Sequence, residues 1–72
     1  MGSKISLLQT VALLEDMPEH SLTRGQVGTV VEDLAPDVYE VEFSDNDGRT
    51  YAMLALRGDQ LIDLRFAPDQ AA

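Results

Sequence analysis

Val38-Tyr39-Glu40-Val41-Glu42-Phe43 runs through Ser44-Asp45-Asn46-Asp47-Gly48-Arg49 into Thr50-Tyr51-Ala52-Met53-Leu54-Ala55-Leu56. Tyr39, Val41 and Phe43 alternate with Glu40 and Glu42, a period of two that marks a strand with one buried face and one acidic face. The segment after Gly48 is rich in residues that suit a returning strand, and Asn46-Asp47-Gly48 supplies the turn between them. With the loop centred between Asn46 and Asp47, Phe43 faces Thr50, Val41 faces Ala52 and Tyr39 faces Leu54. On the other face Glu42 meets Tyr51 and Glu40 meets Met53. A slip of one residue would set glutamates against the apolar set, so the pattern selects this pairing. Val41, Ala52, Leu54 and Leu56 are expected inside, with Tyr51 and Met53 partly outside.

Working outward, Gly28 to Leu34 has the β-branched centre of a strand, and Ala35-Pro36-Asp37 turns it into the hairpin. Thr10 to Leu14 is a further strand. Glu15 to Gln26, with Pro18 and Gly25, has no clear period and reads as a long ordered loop. After the hairpin, Arg57-Gly58-Asp59-Gln60 reads as a tight or 3₁₀ turn and Leu61 to Leu64 as a short last strand. The expected fold is all-β: a five-stranded SH3-like barrel with a long first loop and a 3₁₀ turn before the last strand. It spans residues 7–65, between an N-terminal tail over 1–6 and a disordered C-terminal tail over 66–72. Such a curled meander limits its exposed edges. The rival is an N-terminal helix, since Ile5, Leu8, Val11 and Ala12 fit a helical stripe, but that stretch is short and uncapped.

Seventy-two residues make one small domain, which buries only about 60% of its unfolded surface. The chain has no cysteine and one histidine, which excludes a disulfide framework and a histidine-based metal cluster. Thirteen acidic residues against five basic ones leave a net charge of −8. Phosphate and anionic-lipid binding need Lys and Arg, so neither nucleic acid nor membrane is an expected partner. The apolar run from Val11 to Leu14 is too short to span a membrane. Glu15-Asp16 follow it where a signal peptide has small residues, so the expected location is the cytoplasm.

The strings that could carry chemistry have plainer readings. Asp45-Asn46-Asp47-Gly48 resembles part of a calcium loop, but counting from Gly48 puts Phe43 and Leu54 at ligand positions. Arg57-Gly58-Asp59 spells an adhesion tripeptide and reads as a turn. His20 lies between Glu19 and Ser21 in a polar loop, with no nucleophile aimed at it. Paired carboxylates for glycosidic chemistry need a cleft that this length scarcely allows. No catalytic residue and no cofactor is expected. Gly25, Gly28, Gly48 and Gly58 read as structural: Gly25 for positive φ, Gly28 for a sharp bend where the barrel closes, Gly48 and Gly58 for turns.

The remaining candidate is a surface. Glu40, Glu42, Tyr51 and Met53 share an exposed sheet face, and Glu15, Asp16 and Glu19 lie in the first loop, which borders the groove in SH3-like barrels. Carboxylates beside an amphipathic aromatic and a thioether suit a basic, partly apolar protein partner. The competing reading packs Tyr51 under the first loop as core. The expected assembly is a monomer or weak homodimer.

A family resemblance joins these strings. Thr10-Val11-Ala12-Leu13-Leu14-Glu15-Asp16-Met17-Pro18-Glu19, Leu22, Arg24 to Glu32, Tyr39 to Phe43, Asp47 to Ala52 and Asp59-Gln60-Leu61 resemble the domain-of-unknown-function 4926 family of small bacterial proteins. The resemblance implies an SH3-like barrel and transfers no catalytic residue. Family members encoded beside small toxin-like partners would fit an antitoxin or immunity role. Gly25-Gln26-Val27-Gly28-Thr29-Val30-Val31 and Tyr39 to Phe43 also resemble the SH3-like C-terminal domain of the nitrile hydratase β subunit, a likeness that implies a docking or accessory role in a larger enzyme.

Overall fold

A computed structural model describes residues 5–64. Five strands form one antiparallel sheet: β1 Thr10–Leu13, β2 Val27–Ala35, β3 Val38–Ser44, β4 Thr50–Arg57 and β5 Leu61–Asp63. Two 3₁₀ turns complete the described residues, η1 Pro18–His20 in the first loop and η2 Gly58–Gln60 before β5. The all-β reading holds, and the N-terminal stripe forms no helix. Strand order is β4-β3-β2-β1-β5. The sheet is curled but not closed, because β4 and β5 are its two edges and are not neighbours. β5 is three residues long and pairs along its length with β1, Leu13 to Leu61 and Val11 to Asp63. Among the described residues nothing pairs β5 with β4, so the expected barrel stays open there and β4 and β5 are its edges.

β2 bends the sheet. Its start, Val27 to Thr29, pairs with β1, and Thr29 to Ala35 pairs with β3. The ladder to β3 skips Val31 and Leu34, and such bulges increase local twist and bending. The two-residue link Pro36-Asp37 puts Asp37 at φ 60, a left-handed position that Asp tolerates better than most side chains.

The central hairpin keeps the expected faces but moves the pairs by two residues. Phe43 lies opposite Ala52, Val41 opposite Leu54 and Tyr39 opposite Leu56. On the outer face Glu42 lies opposite Met53 and Glu40 opposite Ala55. The cause is a bulge at Tyr51, since Ser44 pairs with Thr50 and Phe43 with Ala52. The connection itself closes on Asp45, whose amide donates to the Arg49 carbonyl at 2.9 Å. The Asp45 carboxylate accepts from the amides of Asp47 and Arg49 at 2.9 and 3.0 Å. This Asx-type closure makes the hairpin loop longer than a two-residue turn and leaves an odd residue to bulge.

Val11, Leu13, Leu22, Val30, Tyr39, Val41, Phe43, Leu56 and Leu61 form the core, with Ile5, Met17, Ala52 and Leu54 packed against it. Leu22 pins the first loop: it is buried, and its backbone exchanges two bonds with Met17, at 2.8 and 3.1 Å. The expected tails lie outside the described residues over 66–72 and 1–4; Ile5 and Ser6 lie within them.

Leu8 is anomalous. It adopts φ 66 while 76% exposed, held by its amide's 2.7 Å bond to the Val30 carbonyl. A left-handed L-residue costs about 1–2 kcal/mol, and this one recovers little by burial. Leu8→Gly removes that strain and adds only about 0.5–1 kcal/mol of glycine's entropic cost. Thermal denaturation should therefore show the variant melting a few degrees higher, roughly 2–4 °C for a net gain near 0.5 kcal/mol; a lower melting temperature would mean that the leucine contributes packing here.

Candidate functional site

The outer face of β2, β3 and β4 carries two cross-strand rows. Thr29, Glu42 and Met53 make the first; Glu32, Glu40 and Ala55 make the second. Glu32 and Glu40 are directly opposite, a like-charge pair that the sheet tolerates at some cost in stability. Met53 and Tyr51 are each about half exposed, and Glu40 and Glu42 are half-buried at the base beside them. Glu42 also accepts a close hydrogen bond from the Thr50 hydroxyl. Two carboxylates and a thioether thus share the outer face of the hairpin, with Glu42 opposite Met53.

Tyr51 combines both readings made of it. Its ring tilts against buried Phe43, with centroids 6.4 Å apart, while its hydroxyl accepts from Gln26 Nε2 at 2.9 Å. It fastens the start of β4 to the end of the first loop yet keeps half its surface in water. The bulge explains this double role, because the unpaired residue is free to tilt toward Gln26.

Two of the first-loop carboxylates have partners of their own. Asp16 accepts the Arg24 amide at 2.9 Å and so closes the loop on itself. Glu15 accepts from Gln60 Nε2 at 3.0 Å, and Glu19 is exposed on η1. Gln26 to Tyr51 links the end of this loop to the start of β4. His20 is exposed at the end of η1.

Sequence reasoning did not single out Gln60. It is the buried polar residue of the described chain, 8% exposed. Its amide oxygen takes the Arg57 amide hydrogen at 2.8 Å, its amide nitrogen serves Glu15, and its carbonyl accepts from the Leu14 amide at 2.9 Å. One side chain thereby ties the end of β4 to the first loop. A glutamine next to a short turn gives no periodic signal, so nothing in the sequence marked it.

The four glycines are structural in two ways. Gly25 and Gly48 have φ of 92 and 82 with open space around them, so at Gly25 the demand is conformational. Gly28 lacks room: a Cβ there would lie 2.7 Å from Val41 Cγ1 and 2.9 Å from the Glu42 carbonyl oxygen. Gly58 opens η2 and lies outside the positive-φ region. A Cβ there would fall on the Asp37 carboxylate, and its amide donates to the Asp37 carbonyl at 2.9 Å.

The acids are poorly matched by cations. Arg57–Asp59, at 3.0 Å and well exposed, is the ion pair found among the described residues, and such surface pairs are worth little. Carboxylate repulsion should therefore weaken the fold at low ionic strength. Raising salt from about 20 to about 300 mM should lift the melting temperature by a few degrees as the Debye length shrinks roughly fourfold. A salt-independent melt would show that the acids are locally balanced.

Among the described residues no helix is long and apolar enough to cross a membrane, and no group of three or more potential ligands is gathered for a metal ion. Neither a curated protein nor a solved structure matches the chain, so the nitrile hydratase likeness gains no support. A family model described as Domain of unknown function (DUF4926) does match, over residues 7–63. Those residues contain all five strands, both 3₁₀ turns and every carboxylate of the hairpin face, and the chain belongs to this family.

Proposed function

We propose that the chain is a non-enzymatic, acidic protein-interaction module whose partner is a basic protein, in the manner of an antitoxin or immunity protein. The observation that carries this reading is the outer face of the hairpin. Glu42 lies opposite half-exposed Met53 and Glu40 opposite exposed Ala55, and the carboxylates have no cationic side chain in an ion pair with them among the described residues. A basic, partly apolar surface would supply the missing charge and cover the apolar groups. Opposite charge of this kind speeds encounter and fixes orientation more than it adds raw affinity, and a net charge of −8 extends the attraction beyond contact distance.

A pull-down from lysate of the native host, with the purified chain as bait, tests the reading. Washing at about 50 and about 500 mM salt spans a threefold change in Debye length. Capture of a basic protein at the lower salt and its loss at the higher is the expected result. A partner held equally at both salts would instead favour an accessory subunit with a permanent, apolar interface. Capture of acidic proteins only would contradict the proposal.

A further inference from the structure

We propose that the edge of β4, unpaired among the described residues, is a docking strand, to which an extended basic segment of the partner adds as a sixth strand of the sheet. This rests on the reading of the chain as an acidic interaction module and assigns that reading a place and a geometry. The sheet ends in β4 on one side and β5 on the other. A sheet edge presents unpaired N–H and C=O groups, and natural proteins guard such edges with short strands, charges, proline or bulges. β5 is guarded by its length of three residues and by Asp63, whose carboxylate takes a hydrogen bond from Gln9. β4 is not. It is eight residues long, has no proline, and carries no charged residue before Arg57. Beyond Tyr51 its pairing with β3 is regular through Arg57, so its outward backbone groups form an even row.

The side chains along this edge fit an alternating segment. On the inner side Ala52 and Leu54 are only partly covered by the core, and an apolar residue of an added strand would complete that cover. On the outer side Met53 and Ala55 are exposed. Glu42 lies one strand further in behind Met53, and Glu40 behind Ala55. Adjacent strands are about 4.8 Å apart, so an added strand would lie roughly 9.6 Å from β3, a gap that a Lys or Arg and a Glu span together. Ala55 has no side chain beyond Cβ to block the way to Glu40. The segment that fits is therefore extended, with basic residues outward and apolar residues inward in alternation, a form of strand addition. A second copy of the chain fits less well, since two copies of net charge −8 repel and would bring Glu40 and Glu42 of each toward the other.

The probe is the synthetic peptide Lys-Val-Lys-Val-Lys-Val-Lys, together with two versions N-methylated either on the lysine amides or on the valine amides. All three carry the same charge. In an added strand alternate amides point to β4, so one methylated peptide should bind at least tenfold more weakly and the other as well as the parent. Amide exchange should slow along Thr50–Arg57 when the parent binds, and Glu40→Gln with Glu42→Gln should weaken the parent at least tenfold. If both methylated peptides match the parent, binding is by charge alone; the docking strand is then wrong while the acidic-module reading stands. No binding of the parent at about 50 mM salt also overturns the docking strand, and leaves the pull-down to decide the module reading. Concentration-dependent protection of the β4 amides without peptide would overturn it in favour of a second copy at that edge.

Discussion

Gly28→Ala should destabilise the fold by about 3 kcal/mol, near the top of the range for overpacking a filled core. The reason is the approach of β2 to β3. Gly28 is buried and pairs with Val11 of β1, and the space its side chain would need is filled by Val41 and by the Glu42 carbonyl. The side-chain conflict could be relieved by rotation, but the 2.9 Å approach to a backbone oxygen could not. The double variant Gly28→Ala with Val41→Ala should therefore stay far less stable than Val41→Ala alone. Since small domains are stable by only about 5–15 kcal/mol, a valine at this position should leave the chain largely unfolded at 37 °C. Denaturant titration measures each step. A Gly28→Ala cost under about 1 kcal/mol would mean that the strands separate easily here and that β2 does not set the curl of the sheet.

Gln60→Leu should cost about 2 kcal/mol, the penalty for stranding partly buried hydrogen-bonding groups. Leucine is one side-chain atom smaller and branches one carbon earlier, so it fills most of the space, and what chiefly disappears is the bond from the Arg57 amide and the bond to Glu15. Gln60→Glu separates the two. It keeps an acceptor for Arg57 but sets a second carboxylate against Glu15, so its cost should be large at neutral pH and shrink on acidification as one of the pair is protonated. Equal costs for Gln60→Glu at pH 7 and pH 4.5 would show that Glu15 turns away into solvent once the amide is gone.

The hairpin was legible in the sequence because alternation is a direct record of which face is wet. Tyr39, Val41 and Phe43 had to be inside if Glu40 and Glu42 were outside, and the structure keeps those faces. The pair register was not legible. It depends on whether Asp45 closes the loop with its own side chain and on where the resulting odd residue bulges, and Tyr51 carries no sign of that in its identity. The first loop hid its anchor for a similar reason: one buried Leu22 among polar residues makes no period. Gly28 was read as a bend, and its true constraint, a neighbouring strand too close for a Cβ, depends on β3 and so on tertiary structure. The open edge was hidden by the expectation of closure, whereas β4 and β5 are not neighbours among the described residues.

The site was legible to the same extent. Glu40, Glu42 and Met53 share one face because the alternation of β3 and β4 places them there, whereas Tyr51, at the bulge, tilts toward Phe43 and Gln26. Glu15 and Asp16 are engaged in holding the first loop, and their place there follows from partners, Gln60 and Arg24, that lie far along the chain or across the loop.

Capture by the wild-type chain should be compared with capture by Glu40→Gln/Glu42→Gln, a pair of half-exposed outer-face changes that leave the core untouched. Both baits, verified as folded by their melting curves, would be incubated at about 50 mM salt with the basic protein that the wild type retains. The double variant should lose at least tenfold in affinity, chiefly through slower association. Equal affinity and equal salt dependence for the two baits would contradict it, and would move the binding surface away from the hairpin.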